Sequence, residues 1–401
     1  MSDPFRRSAR IDAVELSEIL RISELADALK REGRDIITLG TGEPDFPTPA
    51  AVVEAAHRAA LDGETTYTPT AGTLALRNAI ATACERENGY RPATSEIIVS
   101  TGAKQVLYNA FAATLDAADE VLIAAPYWTS YPDIVTVCDG RPVVLPTTAK
   151  TGFRITPDQL QAAIGPKTRW LLLNSPSNPS GAVYSAEDLE ALAEVLREAP
   201  HVGIMVDEIY QHISYVPFRS FRTVAPDLAD RTLIVNGVSK SYAMTGWRIG
   251  WGIGPTRLVS AMVAVQSQIT SGASSVSQAA ATAALPGDQQ LLAERCDDFR
   301  ERRDMTVAAL NATGLLRCAS ADGAFYLFPD CTAAFGKRTR DGRTIATDAD
   351  FCEALLAAEG VALVPGRAFG TPGHIRLSYA YSRASLREAA TRIARFCASL
   401  D

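Results

Sequence analysis

The chain has 401 residues, of which 47% are hydrophobic and 21% charged, and its 39 basic and 46 acidic side chains leave a formal net charge of −7. These values are typical of a globular protein of two or more domains, and they give no sign of nucleic acid or an anionic membrane as a partner. No apolar run reaches 18 residues, residues 1–10 lack the apolar core of a secretory signal, and the seven cysteines form no CxxC pair, so we expect a cytoplasmic protein without a membrane span, disulfides or a metal site.

The chain begins with a predicted helix over residues 17–32, with Gly33 as its C-cap. Through the middle, short apolar runs rich in β-branched residues alternate with helix-length segments. The predicted strands are 96–100, 120–124, 142–145, 170–174, 203–207, 232–236 and 249–253. Helices are predicted between them at 104–114 and 185–197, the second opened by a weak capping box of Ser185 and Asp188. The alternation predicts an α/β fold with a mostly parallel seven-stranded sheet sandwiched by helices.

The last hundred residues change character. They predict a charged helix at 300–310, short strands at 325–328, 361–364 and 375–379, and a final amphipathic helix at 385–398. We interpret this region as a smaller α+β domain. The predicted organisation is an N-terminal segment, 1–45, that joins the small domain, a large domain, 46–299, and the small C-terminal domain, 300–401.

One lysine stands directly after a predicted strand. Only six of the 39 basic residues are lysines, so arginine supplies most of the generic positive charge. Lys240 lies in the run Asn-Gly-Val-Ser-Lys-Ser, in which small neighbours leave room for a bulky group, and only a primary amine can form a Schiff base. Taken alone, a loop lysine is more often a solvated surface charge.

Three further polar residues follow strands or flank the same loop. Asp207 closes the strand at 203–207 and Tyr210 follows it, so Asp207 is either the N-cap of a helix or the counter-ion of a bound cation. Arg248 could bind a phosphate with two parallel hydrogen bonds or form a surface ion pair. Trp247 and Trp251 lie close by in sequence, and we expect them to keep Arg248 from full exposure.

Two strand–turn segments complete the set. Asn178 belongs to the run Asn-Ser-Pro-Ser-Asn-Pro-Ser-Gly after the strand at 170–174, where the Asn-Pro and Ser-Gly steps predict a turn whatever the function. The segment Ser-Thr-Gly-Ala-Lys, 100–104, is followed by a helix, whose N-terminus could offer backbone N–H groups to a phosphate. Neither a Walker loop nor a dinucleotide fingerprint is present.

Taken together, these motifs resemble those of a known family. Asn178-Pro-x-Gly, Asp207-x-x-Tyr, Ser239-Lys and Gly-Trp-Arg248 stand in the order and at the spacing seen in class I, fold-type I aminotransferases that depend on pyridoxal 5′-phosphate (PLP). The resemblance extends to Gly-Glu-Pro-Asp-Phe at 42–46, Pro-Tyr-Trp at 126–128 and Ile-Arg-Leu-Ser-Tyr at 375–379. The pattern is most similar to the bacterial aspartate aminotransferases, which include prephenate-using members.

The resemblance implies a role for each residue near the cofactor. Lys240 would carry PLP as a Schiff base and would then move the substrate proton. Asp207 would hold the pyridine nitrogen protonated, so that the ring accepts electrons. Asn178 and Tyr210 would donate to the phenolic oxygen of the ring, and Trp128 would stack on the ring face. The phosphate would be held by Arg248, Ser239, the backbone of Gly102, Ala103 and Lys104, and Tyr67 of a neighbouring subunit in a homodimer with shared active sites.

The resemblance also implies substrate contacts. Arg376 would bind the α-carboxylate of an amino acid or a 2-oxo acid with help from the backbone at Gly42, with Trp128 and Asn178 beside it. Lys104 would help to hold a distal carboxylate. Acid-specific relatives commonly have a threonine and a lysine where this chain has Ile19 and Glu15, and many have a serine where it has Gly237.

The substrate therefore stays open at this point. The leading hypothesis is transfer from aspartate or glutamate to a 2-oxo acid such as 2-oxoglutarate by a ping-pong cycle. The alternatives are aromatic or other neutral amino donors, which Ile19 makes plausible, and a PLP-dependent C–S lyase. A PLP-binding transcription regulator would need an additional N-terminal DNA-binding domain, and a nucleotide-binding enzyme would need the missing glycine fingerprints.

Overall fold

The computed structural model describes residues 5–14 and 18–401. The helices are α1 Ala9–Asp12, α2 Glu18–Arg31, α3 Ala50–Leu61, α4 Leu74–Asn88, α5 Ala103–Thr114, α6 Ser130–Val137, α7 Pro157–Ala163, α8 Ala186–Arg197, α9 Phe221–Val224, α10 Thr256–Ser267, α11 Ser275–Ala284, α12 Gln289–Asn311, α13 Asp348–Glu359 and α14 Arg383–Ala398. The strands are β1 Ile37–Thr38, β2 Ile97–Ser100, β3 Glu120–Ala125, β4 Arg141–Pro146, β5 Thr168–Asn174, β6 Gly203–Asp207, β7 Thr232–Gly237, β8 Gly250–Ile253, β9 Tyr326–Leu327, β10 Val361–Ala362, β11 Val364–Pro365 and β12 Ile375–Ser378.

Seven strands form the central sheet in the order β2-β8-β7-β6-β5-β3-β4. The pairs from β4 through β3, β5 and β6 to β7 are parallel, whereas β8 runs antiparallel to both of its neighbours. The prediction of a mostly parallel seven-stranded sheet is confirmed, and all seven predicted strands are present with their ends shifted by no more than a few residues.

Side chains of one strand alternate between two cores. Leu171 and Leu173 of β5 pack into a cluster with α8, whereas Trp170 and Leu172 pack into a second cluster with α5. Because successive residues of a strand point to opposite faces, a continuous apolar strand needs a helical layer on both sides. This requirement places helices on each face and leaves the strand ends as the accessible edge.

The capping box that opens α8 is confirmed. The backbone N–H of Asp188 donates to Ser185 Oγ over 3.1 Å, and the backbone N–H of Ser185 donates to Asp188 Oδ2 over 3.0 Å. The pair satisfies two of the N–H groups that the first helical turn leaves without partners.

A second region surrounds the antiparallel sheet β11-β12-β9 and the parallel pair of β1 with β10. Its core includes Phe325, Phe351, Leu377 and Phe396. Since β1 comes from the N-terminal segment and β10 from the C-terminal part, the two ends of the chain meet here.

The charged helix α12 is longer than predicted. It begins at Gln289 rather than at residue 300, and Asp288 caps it by accepting from the backbone N–H of Gln290 over 2.9 Å. Its apolar periodicity is masked because Arg295 and Arg302 lie on its buried face. The helix thus crosses the predicted domain boundary at 299/300, and the division into domains stays a prediction.

The N-terminal helix is present as α2, while Ser17, at the start of its predicted span, lies outside the described residues. Gly33 follows the helix with a φ of +86°, and the backbone N–H of Arg34 returns to the carbonyl of Leu29 over 3.1 Å. A left-handed glycine after the last turn is the predicted C-cap. All seven cysteines are buried and unpaired, and no helix in the described residues is long and apolar enough to cross a membrane.

Candidate active site

A cavity of about 340 Å³ opens at the carboxyl ends of β5, β6 and β7. It is lined by Ile19, Gly40, Thr41, Gly42, Glu43, Ala103, Lys104, Trp128, Tyr131, Asn174, Asn178, Asp207, Ile209, Tyr210, Ser239, Lys240, Thr245, Arg248, Tyr326 and Arg376. Most of the predicted site residues therefore share one space. A larger cavity of about 550 Å³ lies at the amino ends of the strands, near Gly203 and Arg231, and contains none of them.

The amine of Lys240 lies inside the cavity. Its Nζ donates a hydrogen bond to the carbonyl of Gly42 over 2.7 Å. Burial lowers the pKa of this amine to about 8; Arg248 and Arg376 act in the same direction, while Glu43 and Asp207 oppose them. An amine with this pKa is neutral in an appreciable fraction near neutral pH, which is the form that attacks a carbonyl carbon.

Asp207 is 4% exposed and accepts two hydrogen bonds. Tyr131 Oη donates to Oδ2 over 2.8 Å, and the backbone N–H of Ile209 donates to Oδ1 over 3.1 Å. Burial raises the pKa of Asp207 to about 6, and both hydrogen bonds oppose the rise. The alternative of a helix N-cap is wrong, because the chain continues into a turn at residues 209–212. A buried carboxylate with room beside it is suited to hold a cation.

Arg376 is buried, with 2% of its surface exposed. Its Nη1 donates to Asn178 Oδ1 over 2.9 Å, its Nη2 donates to the carbonyl of Gly40, and its Nε has no partner among the described residues. The guanidinium lies over the ring of Tyr326, with its carbon 4.7 Å from the ring centroid. Tyr210 Oη is 3.0 Å from Tyr326 Oη. A buried guanidinium with an unpartnered N–H is suited to a carboxylate ligand.

Besides Arg376, the cavity has a second positively charged corner, which is formed by Arg248 and the N-terminus of α5. Gly102 precedes the helix with a φ of +87°, and a Cβ there would lie 2.3 Å from Arg248 Nη2. A Cβ at Gly250 would lie 2.2 Å from the backbone nitrogen of Ala103. The two glycines therefore let the guanidinium approach the N-terminus of α5, whose N–H groups and dipole favour an anion. Ser239 lines the same cavity.

The two tryptophans near Arg248 do not bury it, and Arg248 is exposed in the single chain. The reason is that Trp247 Nε1 is turned toward Thr48 Oγ1, over 3.1 Å, and Trp251 lies within β8. At Gly237 a Cβ would lie 2.8 Å from the carbonyl of Ile249, so a serine would not fit this backbone without a shift.

The far end of the cavity is formed by Lys104, Trp128 and Ile19. Lys104 Nζ lies 4.7 Å from the centroid of the Trp128 ring. Burial lowers the pKa of this amine, Arg248 adds to the decrease, and Asp133 opposes it. Ile19 reaches the cavity from α2 and packs beside Phe328. Glu15, the other unusual residue, lies outside the described residues.

Tyr67 stands apart from the other predicted residues. Its side chain is 97% exposed, and it is not among the residues that line the cavity. Its contact with a neighbouring subunit stays a prediction.

Sequence reasoning missed Tyr131 and Tyr326. Tyr131 lies three residues after Trp128 in α6, a helix that was not predicted, and its hydroxyl is the donor to Asp207. Tyr326 falls in the strand predicted at 325–328, to which no site residue was assigned. A tyrosine among phenylalanines was the available signal, since a buried hydroxyl needs a hydrogen-bond partner.

Comparison with known proteins defines the class. The family described as aminotransferase class I and II matches residues 34–393. The chain belongs to this family and is an aminotransferase. It is 54% identical to an aspartate aminotransferase of Rhizobium meliloti (strain 1021), over 99% of this chain and 97% of the relative. It is 47% identical to the aspartate/prephenate aminotransferase of Cereibacter sphaeroides, over 97% of this chain and 98% of the relative.

Solved structures agree with this assignment. The crystal structure of the aspartate aminotransferase from Rhizobium meliloti superposes with a TM-score of 0.96 at 53% identity, covering 99% of this chain and all of that chain. The aspartate aminotransferase from Thermus thermophilus with maleate gives a TM-score of 0.90 at 40% identity, covering 98% of this chain and 99% of that chain. The expected fold and enzyme class are thereby confirmed.

Proposed function

We propose that this enzyme moves the amino group of aspartate or glutamate to a 2-oxo acid such as 2-oxoglutarate in two half-reactions, with PLP bound at Lys240. The observation that carries the proposal is the shared cavity, in which a buried amine, a buried carboxylate and a guanidinium beside a helix N-terminus come together. These three groups match the aldehyde, the ring nitrogen and the phosphate of one PLP molecule.

The backbone leaves room for PLP beside Arg248. Two glycines, Gly102 and Gly250, leave open the space in which a Cβ would collide with Arg248 or with α5. Arg248, Ser239 and the N–H groups at Ala103 and Lys104 would hold the phosphate there, and Asp207 would hold the ring nitrogen. When bound, PLP supplies an electron sink for the pair that remains when the α-proton leaves.

The chain's own groups would then carry the chemistry. Lys240 Nζ would take the proton from Cα of the amino acid, because its lowered pKa leaves an appreciable fraction of the amine neutral near neutral pH. Arg376 would bind the α-carboxylate with its free Nε and hold Cα near that amine. Asn178 and Tyr210 would donate to the ring oxygen, and Trp128 would cover one ring face.

The acidic donor is supported by Lys104, a cation at the far end of the cavity, and by the names of the relatives. A second candidate, an aromatic or other neutral donor, is favoured by Ile19, whose apolar side chain lies in the same wall. We rank the acidic donor first, since the ammonium group of Lys104 lies in the cavity wall, where it can pair with a distal carboxylate.

We infer a homodimer in which Tyr67 reaches the phosphate in the other subunit. Three large side chains near one another in sequence are exposed in the single chain: Leu61 is 73%, Tyr67 97% and Leu74 58% exposed. A subunit interface would cover side chains of this kind. Light scattering of the purified protein should give twice the chain mass of 42.9 kDa; a monomer would contradict the shared site.

The proposed reaction is tested by assaying aspartate, glutamate, phenylalanine and arginine as donors with 2-oxoglutarate or oxaloacetate as acceptor. We expect aspartate or glutamate to give the highest kcat/KM. Higher values with phenylalanine would select the second candidate, and release of ammonia without an amino acceptor would point to a lyase instead.

A further inference from the structure

The loop at residues 65–72 combines an exposed side chain with a tightly held backbone. Tyr67 is 97% exposed, yet the residues after it are bound by two glutamines that are 0% exposed. Gln278 Nε2 donates to Thr68 Oγ1 over 2.9 Å, and Gln278 Oε1 accepts from the backbone N–H of Thr73 over 2.8 Å. Gln266 Nε2 donates to the carbonyl of Thr70 over 2.7 Å.

The same loop is closely packed against its surroundings. A Cβ at Gly272 would lie 2.3 Å from Thr68 Oγ1, and one at Gly72, whose φ is +97°, would lie 2.7 Å from the Val99 side chain. A buried amide side chain is held in place by its hydrogen bonds, because each lost partner leaves a desolvated polar group. The loop therefore presents Tyr67 in one position although Tyr67 itself contributes almost no buried surface to the chain.

We propose that Gln278, with Gln266, is a positioning residue that sets Tyr67 for the active site of a second copy of this chain. The proposal rests on the proposed function, in which Tyr67 binds the phosphate of the partner's PLP. The side chain of Gln278 bonds to Thr68 in the loop and to Thr73 directly after it, and its other hydrogen bond goes to the carbonyl of Ala273, just before its own helix.

The side chain of Gln266 forms hydrogen bonds both to the loop and to residues outside it. Besides Thr70, its side chain accepts hydrogen bonds from Ser100 Oγ, over 2.5 Å, and from Asn109 Nδ2, over 2.8 Å. Ser100 lies just before the N-terminus of α5, where the phosphate of PLP would bind in the same chain. A substitution at Gln266 would therefore disturb both the loop and the segment that leads into α5. A substitution at Gln278 tests the effect of the loop without disturbing that segment.

The first test is a double-mutant cycle on the dissociation constant of PLP, measured with the dimeric holoenzyme. Gln278→Met should weaken PLP binding about tenfold, the effect of losing one hydrogen bond to a charged group. In a Tyr67→Phe background the same substitution should change the constant less than twofold. Thr68→Val, which removes only the hydroxyl that Gln278 contacts, should repeat this pattern in case Gln278→Met fails to fold. Gln290→Met, at an exposed position of α12, is the matched control.

Equal weakening by Gln278→Met in both backgrounds would overturn the proposal, because Gln278 would then act without Tyr67. An unchanged dissociation constant of PLP in the Gln278→Met single variant would also overturn the proposal. If Tyr67→Phe alone leaves PLP binding unchanged, the proposed role of Tyr67 fails, and the inference fails with it.

Hybrid dimers assign the effect to one site. In a dimer of a wild-type chain and a chain with both Lys240→Ala and Gln278→Met, the intact lysine receives its Tyr67 from the altered loop. Its lysine-linked visible band should require about tenfold more PLP. With the two substitutions on opposite chains, the intact lysine receives a normal Tyr67 and should bind PLP as the wild type does. The reverse pattern would show that Gln278 acts within its own chain and would overturn the proposal.

Discussion

Tyr131 donates a hydrogen bond from its phenolic oxygen to Oδ2 of Asp207 over 2.8 Å, and both groups are buried. The pair decides how much of Asp207 is ionised, since burial raises the pKa of this carboxyl to about 6 and the hydrogen bond opposes the rise. A carboxylate that holds the ring nitrogen of PLP must be charged. The hydroxyl of Tyr131 thus extends the pH range in which the site works.

The first prediction is that Tyr131→Phe moves the acid limb of PLP binding to higher pH. In the wild type, affinity should fall as the pH drops through about 6, where Asp207 takes up a proton. Without the phenolic donor the carboxylate loses roughly 1.5–3 kcal/mol of stabilisation, so the limb should move up by about one pH unit or more. The measurement is the dissociation constant of PLP from pH 5 to 8. Tyr108→Phe, in the same half of the chain, should leave the limb in place; an unmoved limb in Tyr131→Phe would refute the role.

The second prediction concerns the stability of the PLP-free protein. The pKa of Lys240 falls from its usual 10.5 to about 8 in the folded chain, so between these values the unfolded chain binds more protons and stability rises with pH. The free energy of unfolding of the wild type, minus that of Lys240→Met, should therefore increase by roughly 3 kcal/mol from pH 7 to pH 11. Urea titrations at each pH measure the difference. Lys150→Met, at an exposed position, is the control, and a flat or falling difference for Lys240 would contradict its burial.

The third prediction is that Arg376→Lys damages substrate binding while leaving PLP in place. Lysine cannot form two parallel hydrogen bonds to a carboxylate, and each hydrogen bond to a charged group is worth about 1.5–3 kcal/mol. We expect kcat/KM for the amino donor to fall by about 100-fold or more. Steady-state kinetics with a PLP absorbance check separates the two effects. Arg383→Lys, in an exposed ion pair with Asp298, should change kcat/KM less than twofold. If Arg376→Lys loses PLP instead of affinity for the amino donor, the proposed role of Arg376 in substrate binding is wrong.

The fourth prediction is that Ile19→Thr increases the preference for acidic donors. A hydroxyl in this wall of the cavity can donate to a distal carboxylate that also meets Lys104, whereas the isoleucine side chain cannot. The ratio of kcat/KM for aspartate to that for phenylalanine should rise by about tenfold. Leu20→Thr, at a neighbouring position that is 44% exposed, is the control. An unchanged ratio would remove Ile19 from substrate selection.

The strands of the central sheet could be predicted because each is marked by a local run of apolar residues. Residues 204–206 of one such strand are all apolar, and in a sheet covered on both faces these positions of a central strand are buried. The length of α12 was not predictable in this way, since Arg295 and Arg302 take positions on the buried face that periodicity reserves for apolar residues. Arg302 compensates by pairing with Asp45 and Asp298, which are distant from each other in sequence.

The candidate site was predictable where its residues follow strands. Asp207 is the last residue of a strand, and Lys240 and Asn178 follow strands within a few residues. Parallel strands bring such positions to one edge of the sheet. Tyr131 and Tyr326 were missed because they reach the cavity from a short helix and from the smaller sheet. Their contacts depend on how these elements pack, which no spacing along the chain encodes.

The central claim, that Lys240 carries PLP and moves the substrate proton, is tested most directly by a visible absorbance titration of the wild type and Lys240→Ala. The wild type with PLP should show a visible band that bleaches when aspartate or glutamate is added and returns with a 2-oxo acid. Lys240→Ala should bind PLP without covalent attachment and should show no transamination. A wild type that stays colourless with PLP, or a Lys240→Ala variant that retains turnover, would contradict the account.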